Sequence, residues 1–150
     1  KTYVLNWKGS SFNTHEKNNR SMNLKYAIPL FKEKNINWIV ITKDVTNKEK
    51  DLLKKYNIKY YGEIIDNEMT FYDTISILRS VKGIVTTDTS LVHLSANLDI
   101  PTYVLLTLGC EWRWTYSETT NWYPSLKLFK QKELADWNSV INDVKCHLLK

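Results

Sequence analysis

The fold is decided by the stretch VTTDTSLVHLSA, residues 85–96, in which an apolar, β-branched run meets the polar cluster Asp88–Ser90. A helical pattern begins at that cluster and is closed by Pro101. Hydroxyl side chains at a helix start satisfy its first backbone N–H groups, and the same N–H groups bind phosphate at the positive end of the helix dipole. His93 follows one turn inside. The stretch therefore predicts a strand, a helix and, between them, either an anion site or an ordinary cap beside a packed histidine.

Strands and helices alternate along the rest of the chain. Residues Trp38 to Ile41 are apolar in succession, which is typical of a strand buried on both faces of a parallel sheet. Predicted strands cover residues 3–7, 37–42, 60–64, 83–86 and 102–106, and predicted helices cover 23–34, 46–56, 73–80 (capped by Asp73) and 90–98. This order predicts an α/β fold with a doubly wound, mainly parallel sheet and helices on both faces, in a single domain over residues 1–150.

Polar residues follow four of the predicted strands. They are Lys8-Gly9-Ser10, Lys43-Asp44, Asp66 to Glu68, and Asp88 to Ser90. Because the carboxyl ends of parallel strands share one edge of the sheet, we expect these groups to converge on one crevice. The chain contains no Gly-x-Gly-x-x-Gly, no P-loop and no Gly-x-Ser-x-Gly, which disfavours dinucleotide oxidoreductases, NTPases and α/β hydrolases.

Composition predicts a cytoplasmic globular domain. The chain has 150 residues, 43% of them hydrophobic, without a run of about 18 apolar residues or a secretory signal. It begins at Lys1, which suggests a processed product or a piece of a longer protein. The net charge of +5 is interleaved with acidic residues over 48–59, as on a solvated helix face, so we expect no nucleic-acid partner. Cys110 and Cys146 are predicted to be free thiols.

An aromatic segment follows the last predicted strand. It contains Glu111-Trp112-Arg113-Trp114 and then Trp122-Tyr123-Pro124. Two interpretations remain open. The segment folds back on the sheet, because tryptophan is usually largely buried, or its rings and the arginine face a nucleotide base or a sugar.

These motifs together resemble a known family. The matching strings are Trp7-Lys8-Gly9, Asn19-Arg20-Ser21, Thr42-Lys43, Phe71 to Thr74, Asp88 to Leu94 with Pro101, Trp112-Arg113-Trp114, and Trp122 to Gln131. They resemble the glycosyltransferase-like domain at the carboxyl end of bacterial tetratricopeptide-repeat proteins, which is similar to the donor-binding half of the family 9 heptosyltransferases. The resemblance covers nearly the whole chain and implies a Rossmann-like domain, one half of a GT-B glycosyltransferase, that binds a nucleotide diphosphate sugar.

The resemblance also implies roles for particular residues. Thr89 and Ser90 would bind the diphosphate, Asp88 would orient that turn or accept a hydrogen bond from the sugar, and Arg20 would place a cation against the leaving diphosphate. The remaining donor-site residues would be Lys8, Gly9, Ser21, Lys43, His93, Trp112 and Arg113. Lys8 and Lys43 would assist or contact the ribose, Trp112 and Arg113 would close one wall, and His93 would contact phosphate or pack the helix. No metal or other cofactor is expected, because GT-B enzymes stabilise the diphosphate with side chains and a helix end.

Some features depart from the family pattern. The acceptor site and usually the catalytic base belong to an amino-terminal half, so an acceptor domain or a tetratricopeptide-repeat domain outside this chain is an expected partner. Asp99 stands where relatives often have glycine. Two alternatives stay open: an inert scaffold module of the same fold, and a sugar-nucleotide epimerase with Asp44, Asp66 and Glu68 as candidate acids and bases by position.

Overall fold

The chain builds one six-stranded sheet. The computed structural model describes residues 1–9, 20–68, 70–114 and 117–150. The strands are β1 (Thr2–Asn6), β2 (Asn37–Val40), β3 (Lys59–Tyr60), β4 (Ile84–Thr87), β5 (Thr102–Leu106) and β6 (Leu126–Lys130). They lie in the order β3-β2-β1-β4-β5-β6, and every neighbouring pair is parallel.

Helices pack on both faces of this sheet. A 3-10 turn at Leu24–Ala27 leads into α1 (Ile28–Phe31), followed by α2 (Asn47–Lys55), α3 (Tyr72–Ser80), α4 (Ser90–Asn97) and α5 (Trp137–Leu148). One core joins α1, α2 and α5 to side chains of one sheet face, and two smaller cores join α3 and α4 to the other. The predicted α/β fold, doubly wound and Rossmann-like, is therefore confirmed.

The strand order places a topological switch point between β1 and β4. From β1 the chain first adds β2 and β3 on one side, and then returns to add β4, β5 and β6 on the other. Loops leaving β1 and β4 therefore diverge and open a crevice beyond the carboxyl ends of the strands, which is where open parallel sheets bind ligands.

Several element boundaries differ from the sequence-based prediction. The helix predicted over 23–34 is a 3-10 turn followed by one short α-helical segment that ends at Phe31. The strand predicted over 60–64 is only Lys59–Tyr60, because the chain turns directly afterwards. In that turn Gly62 lies close to the segment that follows β2, and an added Cβ at position 62 would be 2.1 Å from the Thr42 carbonyl oxygen.

The capping of α3 was also predicted wrongly. The helix begins at Tyr72, and the first-turn residue Asp73 does not serve as its cap. Instead, the Asp66 carboxylate accepts a hydrogen bond from the backbone N–H of Asp73 at 2.9 Å and from that of Thr74 at 3.4 Å. Asp66 N–H in turn donates to the Asp73 carboxylate at 2.8 Å. A carboxylate six residues before the helix thus satisfies its first N–H groups, an arrangement that local sequence spacing does not reveal.

Two elements were not assigned from the sequence. Strand β6 completes the sheet beside β5, and α5 covers the first face with Val140, Ile141, Val144 and Leu148 at helical spacing. The Asp136 carboxylate caps α5 through a 3.1 Å hydrogen bond from Ser139 N–H. This spacing and cap were readable in the sequence.

Two further expectations from the sequence concern the cysteines and membrane spans. Cys110 and Cys146 are both free. Within the described part of the chain, every helix is too short or too polar to cross a bilayer.

Candidate ligand-binding cleft

A buried network of polar side chains forms the floor of the crevice at the switch point. Asn6, at the end of β1, accepts a hydrogen bond from the Thr42 hydroxyl at 2.8 Å and donates to the hydroxyls of Thr86 at 3.1 Å and Thr89 at 3.3 Å. Asn6, Thr42 and Thr86 are almost fully buried. The network therefore joins the end of β1, the residue Thr42 just after β2, and β4 to Thr89, the N-cap residue of α4. It holds the start of that helix in a fixed position relative to the sheet.

The start of α4 is held without a side-chain cap. Thr89 is the N-cap residue, but its hydroxyl faces the Asn6 network and makes no hydrogen bond to the first turn of the helix. The ordinary-cap alternative for Thr89 is therefore wrong. The first-turn N–H groups of α4 carry the positive end of the helix dipole toward the crevice, and Ser90 at that turn is exposed.

At its other end, α4 closes with the geometry that a glycine would adopt. Asp99 has a φ of 55°, in the left-handed region. Its N–H donates to the Ala96 carbonyl and Ile100 N–H donates to the Ser95 carbonyl, both at 3.0 Å, which is a Schellman motif. The departure from glycine at position 99 therefore leaves the cap geometry unchanged.

The crevice contains a larger, partly apolar compartment, here called the main cleft. Its volume is about 430 Å³. Ile41, Phe71 and Leu91 supply apolar walls, while Asn6 and Lys43 are among its polar lining groups. This size and this mixture are typical of small-molecule binding sites.

A second compartment, here called the arginine pocket, adjoins the main cleft. It has a volume of about 240 Å³, and Gly9, Thr89 and Ser90 line both compartments. Its other lining residues are Arg20, Asp88, His93 and Arg113. The sequence-predicted residues from the ends of β1 and β4 therefore do converge, and the start of α4 forms their shared border.

The guanidinium groups of the two arginines in this pocket have acidic neighbours, but not all of their hydrogen-bond donors have a partner among the described residues. The Arg20 guanidinium lies 3.8 Å from the Asp88 carboxylate and 4.0 Å from that of Glu111, and Arg113 pairs with Glu111. Among the described residues, the Nε atoms of Arg20 and Arg113 are buried without a hydrogen-bond partner. Buried donors without acceptors are costly, so the pocket is electrostatically suited to a ligand that brings anionic oxygen atoms.

The two lysines are bound more tightly within the protein. Lys8 Nζ donates at 2.8 Å to both the Glu49 carboxylate and the Asp44 carbonyl, and Lys43 Nζ donates at 2.5 Å to the Ile65 carbonyl. Burial alone would raise the pKa of Glu49, but hydrogen bonds from Lys8, the Thr46 cap and Trp7 outweigh it and lower that pKa. Lys8 and Lys43 therefore line the main cleft while holding its loops in place.

His93 is built into an aromatic cluster. Its Nδ1 lies 3.0 Å from the Tyr123 hydroxyl, and its ring stacks on Trp114 at 5.8 Å between centroids. Trp114 is buried against β5 and β6. Part of the aromatic segment thus folds back on the sheet, and His93 both packs there and lines the arginine pocket.

Trp112 and Trp122 differ from the rest of that segment. Their side chains are 76% and 57% exposed, and neither belongs to the described lining of the two compartments. Of the predicted wall, Arg113 therefore reaches the pocket whereas Trp112 lies outside it.

The remaining candidates have structural or peripheral positions. Ser21 accepts a hydrogen bond from Gly9 N–H at 3.3 Å and so joins the two loops. Asp44 and Asp66 both line the main cleft, but Asp66 is occupied as the α3 cap, and Glu68 is exposed outside the described lining. Ser10 and Asn19 lie outside the described residues, and within the described ranges no cluster of His, Cys, Asp and Glu could hold a metal ion.

Three residues that shape the site were not predicted from the sequence as site residues: Asn6, Thr42 in the floor, and Glu111. Asn6 and Thr42 each end an apolar run with one polar residue, a signal that was available. The pairing of Glu111 with Arg20 depends on how the segment after β5 folds, for which the sequence offers no local sign.

The parallel sheet, the switch point and the paired compartments define this chain as a Rossmann-like α/β domain with a candidate anion-binding cleft. No protein family, no curated protein and no solved structure matches the chain.

Proposed function

We propose that this chain is the donor-binding domain of a glycosyltransferase, which transfers a sugar from a nucleotide diphosphate sugar to an acceptor. The observation that carries the proposal is the joining of the main cleft to the arginine pocket across the start of α4. A nucleotide sugar has two matching parts, since an aromatic base with its ribose is linked to a doubly charged diphosphate.

In this proposal the base and ribose occupy the main cleft, between Ile41, Phe71 and Leu91. The diphosphate then lies over the first turn of α4, where the helix dipole and Ser90 favour negative charge. Arg20 and Arg113 line the pocket that shares this border, and among the described residues each has a buried Nε atom without a hydrogen-bond partner.

The proposed chemistry is glycosyl transfer with the nucleoside diphosphate as leaving group. The bond between the anomeric carbon and the diphosphate oxygen breaks, and an acceptor oxygen forms the new bond to that carbon. Negative charge grows on the departing oxygen, where Arg20 and the α4 N–H groups stabilise it. In this proposal the acceptor's proton goes to a base on a partner domain, and Asp66, which lines the main cleft, stays bound to the start of α3.

We place this reaction in the cytoplasm, where free thiols such as Cys110 and Cys146 stay reduced. An amino-terminal acceptor domain or a tetratricopeptide-repeat domain is the proposed partner, and it supplies the second half of the active site. No nucleic-acid partner and no metal or other cofactor is part of the proposal.

One observation favours a second candidate, an inert binding module of the same fold. Lys8, Lys43, Arg20 and Arg113, the lysines and arginines described at the crevice, each already have an acidic or carbonyl partner within the chain. In such a module these contacts would be purely structural, and nucleotides would have no measurable affinity.

Thermal unfolding with UDP, ADP, GDP and CMP and their sugar conjugates separates the two candidates. A ligand that binds only the native state raises the melting temperature, so the donor domain shows a shift with at least one nucleotide. Arg20→Gln should weaken that ligand about 10- to 100-fold, as expected for losing a charge-assisted contact. Arg79→Gln, on the exposed face of α3, is the matched control and should leave the affinity unchanged. Absence of any shift at millimolar ligand would contradict the donor-domain proposal and favour the inert module.

A further inference from the structure

Two exposed tryptophans form a ring pair beside the arginine pocket. The rings of Trp112 and Trp122 lie 5.9 Å apart between centroids and are inclined by 68°. The other four tryptophans of the chain are each at most 5% exposed, whereas these two are 76% and 57% exposed. Leaving two large apolar rings in water forgoes hydrophobic stabilisation, and such exposed apolar groups mark interaction sites.

This ring pair, here called the Trp platform, borders the pocket at Arg113. The Arg113 guanidinium, which lines the pocket, lies 5.9 Å from the Trp112 ring centroid. Trp122 directly precedes Tyr123, whose hydroxyl contacts His93, another lining residue. A molecule resting on the Trp platform is therefore next to the proposed position of the leaving diphosphate.

We propose that the Trp platform binds a pyranose ring of a carbohydrate acceptor. The apolar C–H face of a pyranose stacks on one indole, and the inclined second ring meets its edge. The neighbouring ion pair of Glu111 and Arg113 offers both hydrogen-bond acceptors and donors, which suits the hydroxyl groups of a sugar. A protein interface would have to desolvate this ion pair, whereas sugar hydroxyls replace its water hydrogen bonds.

The acceptor role rests on the proposed donor function, but carbohydrate binding by the Trp platform does not. Saturation-transfer NMR with maltotriose, cellotriose and chitotriose at millimolar concentration tests the binding on the chain as it exists. We expect saturation of the ring protons of at least one of these sugars, together with a change in tryptophan emission. Trp112→Ala should weaken this binding at least about tenfold, the typical loss of an aromatic contact. Trp112→Phe should retain most of it.

Tyr72→Ala is the matched control, because Tyr72 is also 77% exposed but lies at the start of α3. It should leave sugar binding unchanged, and all three variants should keep the wild-type melting temperature. The proposal is overturned if none of the sugars binds, if binding survives Trp112→Ala with Trp122→Ala, or if light scattering shows that a second copy covers the rings. Sugar binding without any nucleotide-induced shift in melting temperature would support the Trp platform and contradict the donor function. A nucleotide-induced shift without sugar binding would contradict only the proposal for the Trp platform.

Discussion

The polar floor of the crevice makes a quantitative prediction about two buried threonines. Thr42 and Thr87 are 2% and 1% exposed. Thr42 lies just after β2, and Thr87 is the last residue of β4. Thr42 donates a 2.8 Å hydrogen bond to Asn6, whereas the Thr87 hydroxyl has no partner among the described residues. Threonine-to-valine substitution keeps the side-chain shape and removes the hydroxyl. The same change therefore removes a hydrogen-bonded hydroxyl at position 42 and an unpaired one at position 87.

We expect Thr42→Val to lower the free energy of unfolding by about 1 kcal/mol. Leaving the Asn6 carbonyl oxygen without its donor costs about 1–3 kcal/mol, and this figure already includes the lost hydrogen bond. Burial of the new methyl group offsets about 0.8 kcal/mol of this. Thr87→Val should instead raise the free energy of unfolding by about 1 kcal/mol, because an unpaired buried hydroxyl is replaced by an apolar group.

Equilibrium urea unfolding of both variants beside the wild-type chain measures the two changes. The predicted gap between them is about 2 kcal/mol, well above the error of the method when the m-values agree. Equal shifts for the two variants, or a more stable Thr42→Val chain, would refute the view that Asn6 hydrogen bonding holds the strand ends together.

Three further changes test other local arrangements. Asp99→Gly should stabilise the chain by about 0.5–1 kcal/mol in urea unfolding, because glycine adopts the positive φ without steric cost and removes a negative charge from the carboxyl end of α4. Asp66→Ala should destabilise by about 1–2 kcal/mol through loss of the α3 cap, while the exposed Glu68→Ala control stays within about 0.5 kcal/mol. The folded-state pKa of Glu49 is lowered, so its stabilisation is complete above the unfolded-state pKa and is lost as the pH falls through the folded-state pKa. Glu49→Gln should therefore flatten the acid side of a stability profile taken from about pH 3 to pH 7.

The sequence predicted those parts of the fold that depend on local pattern. The apolar run at β2 and the β4 to α4 junction are readable because burial periodicity and turn chemistry operate over a few residues. The convergence of Lys8, Lys43 and Thr89 also followed, since parallel strands bring their carboxyl ends to one edge.

The rest of the site depends on contacts between distant residues. Asn6 and Thr89 are 83 positions apart, and Lys8 and Glu49 are 41 apart. Local periodicity and capping rules carry no information about such pairs, because the tertiary packing of whole elements decides them. Asp66 is only seven positions from Asp73, but capping rules look at the residue next to the helix, so Asp66 was considered as an acid or base when the folded chain uses it to cap α3.

Geometry distinguishes the basic side chains that hold the fold from those available to a ligand. Lys8 has two contacts at 2.8 Å, close to ideal for charged hydrogen bonds, so releasing it to a phosphate would give up as much as it gains. Arg20 lies 3.8 and 4.0 Å from its carboxylates, beyond hydrogen-bond distance, and its Nε is buried without a partner among the described residues. A diphosphate oxygen at hydrogen-bond distance would improve on those contacts. Anion affinity in this crevice is therefore expected to reside in Arg20 and the start of α4, whereas substitution of Lys8 should act mainly on folding stability.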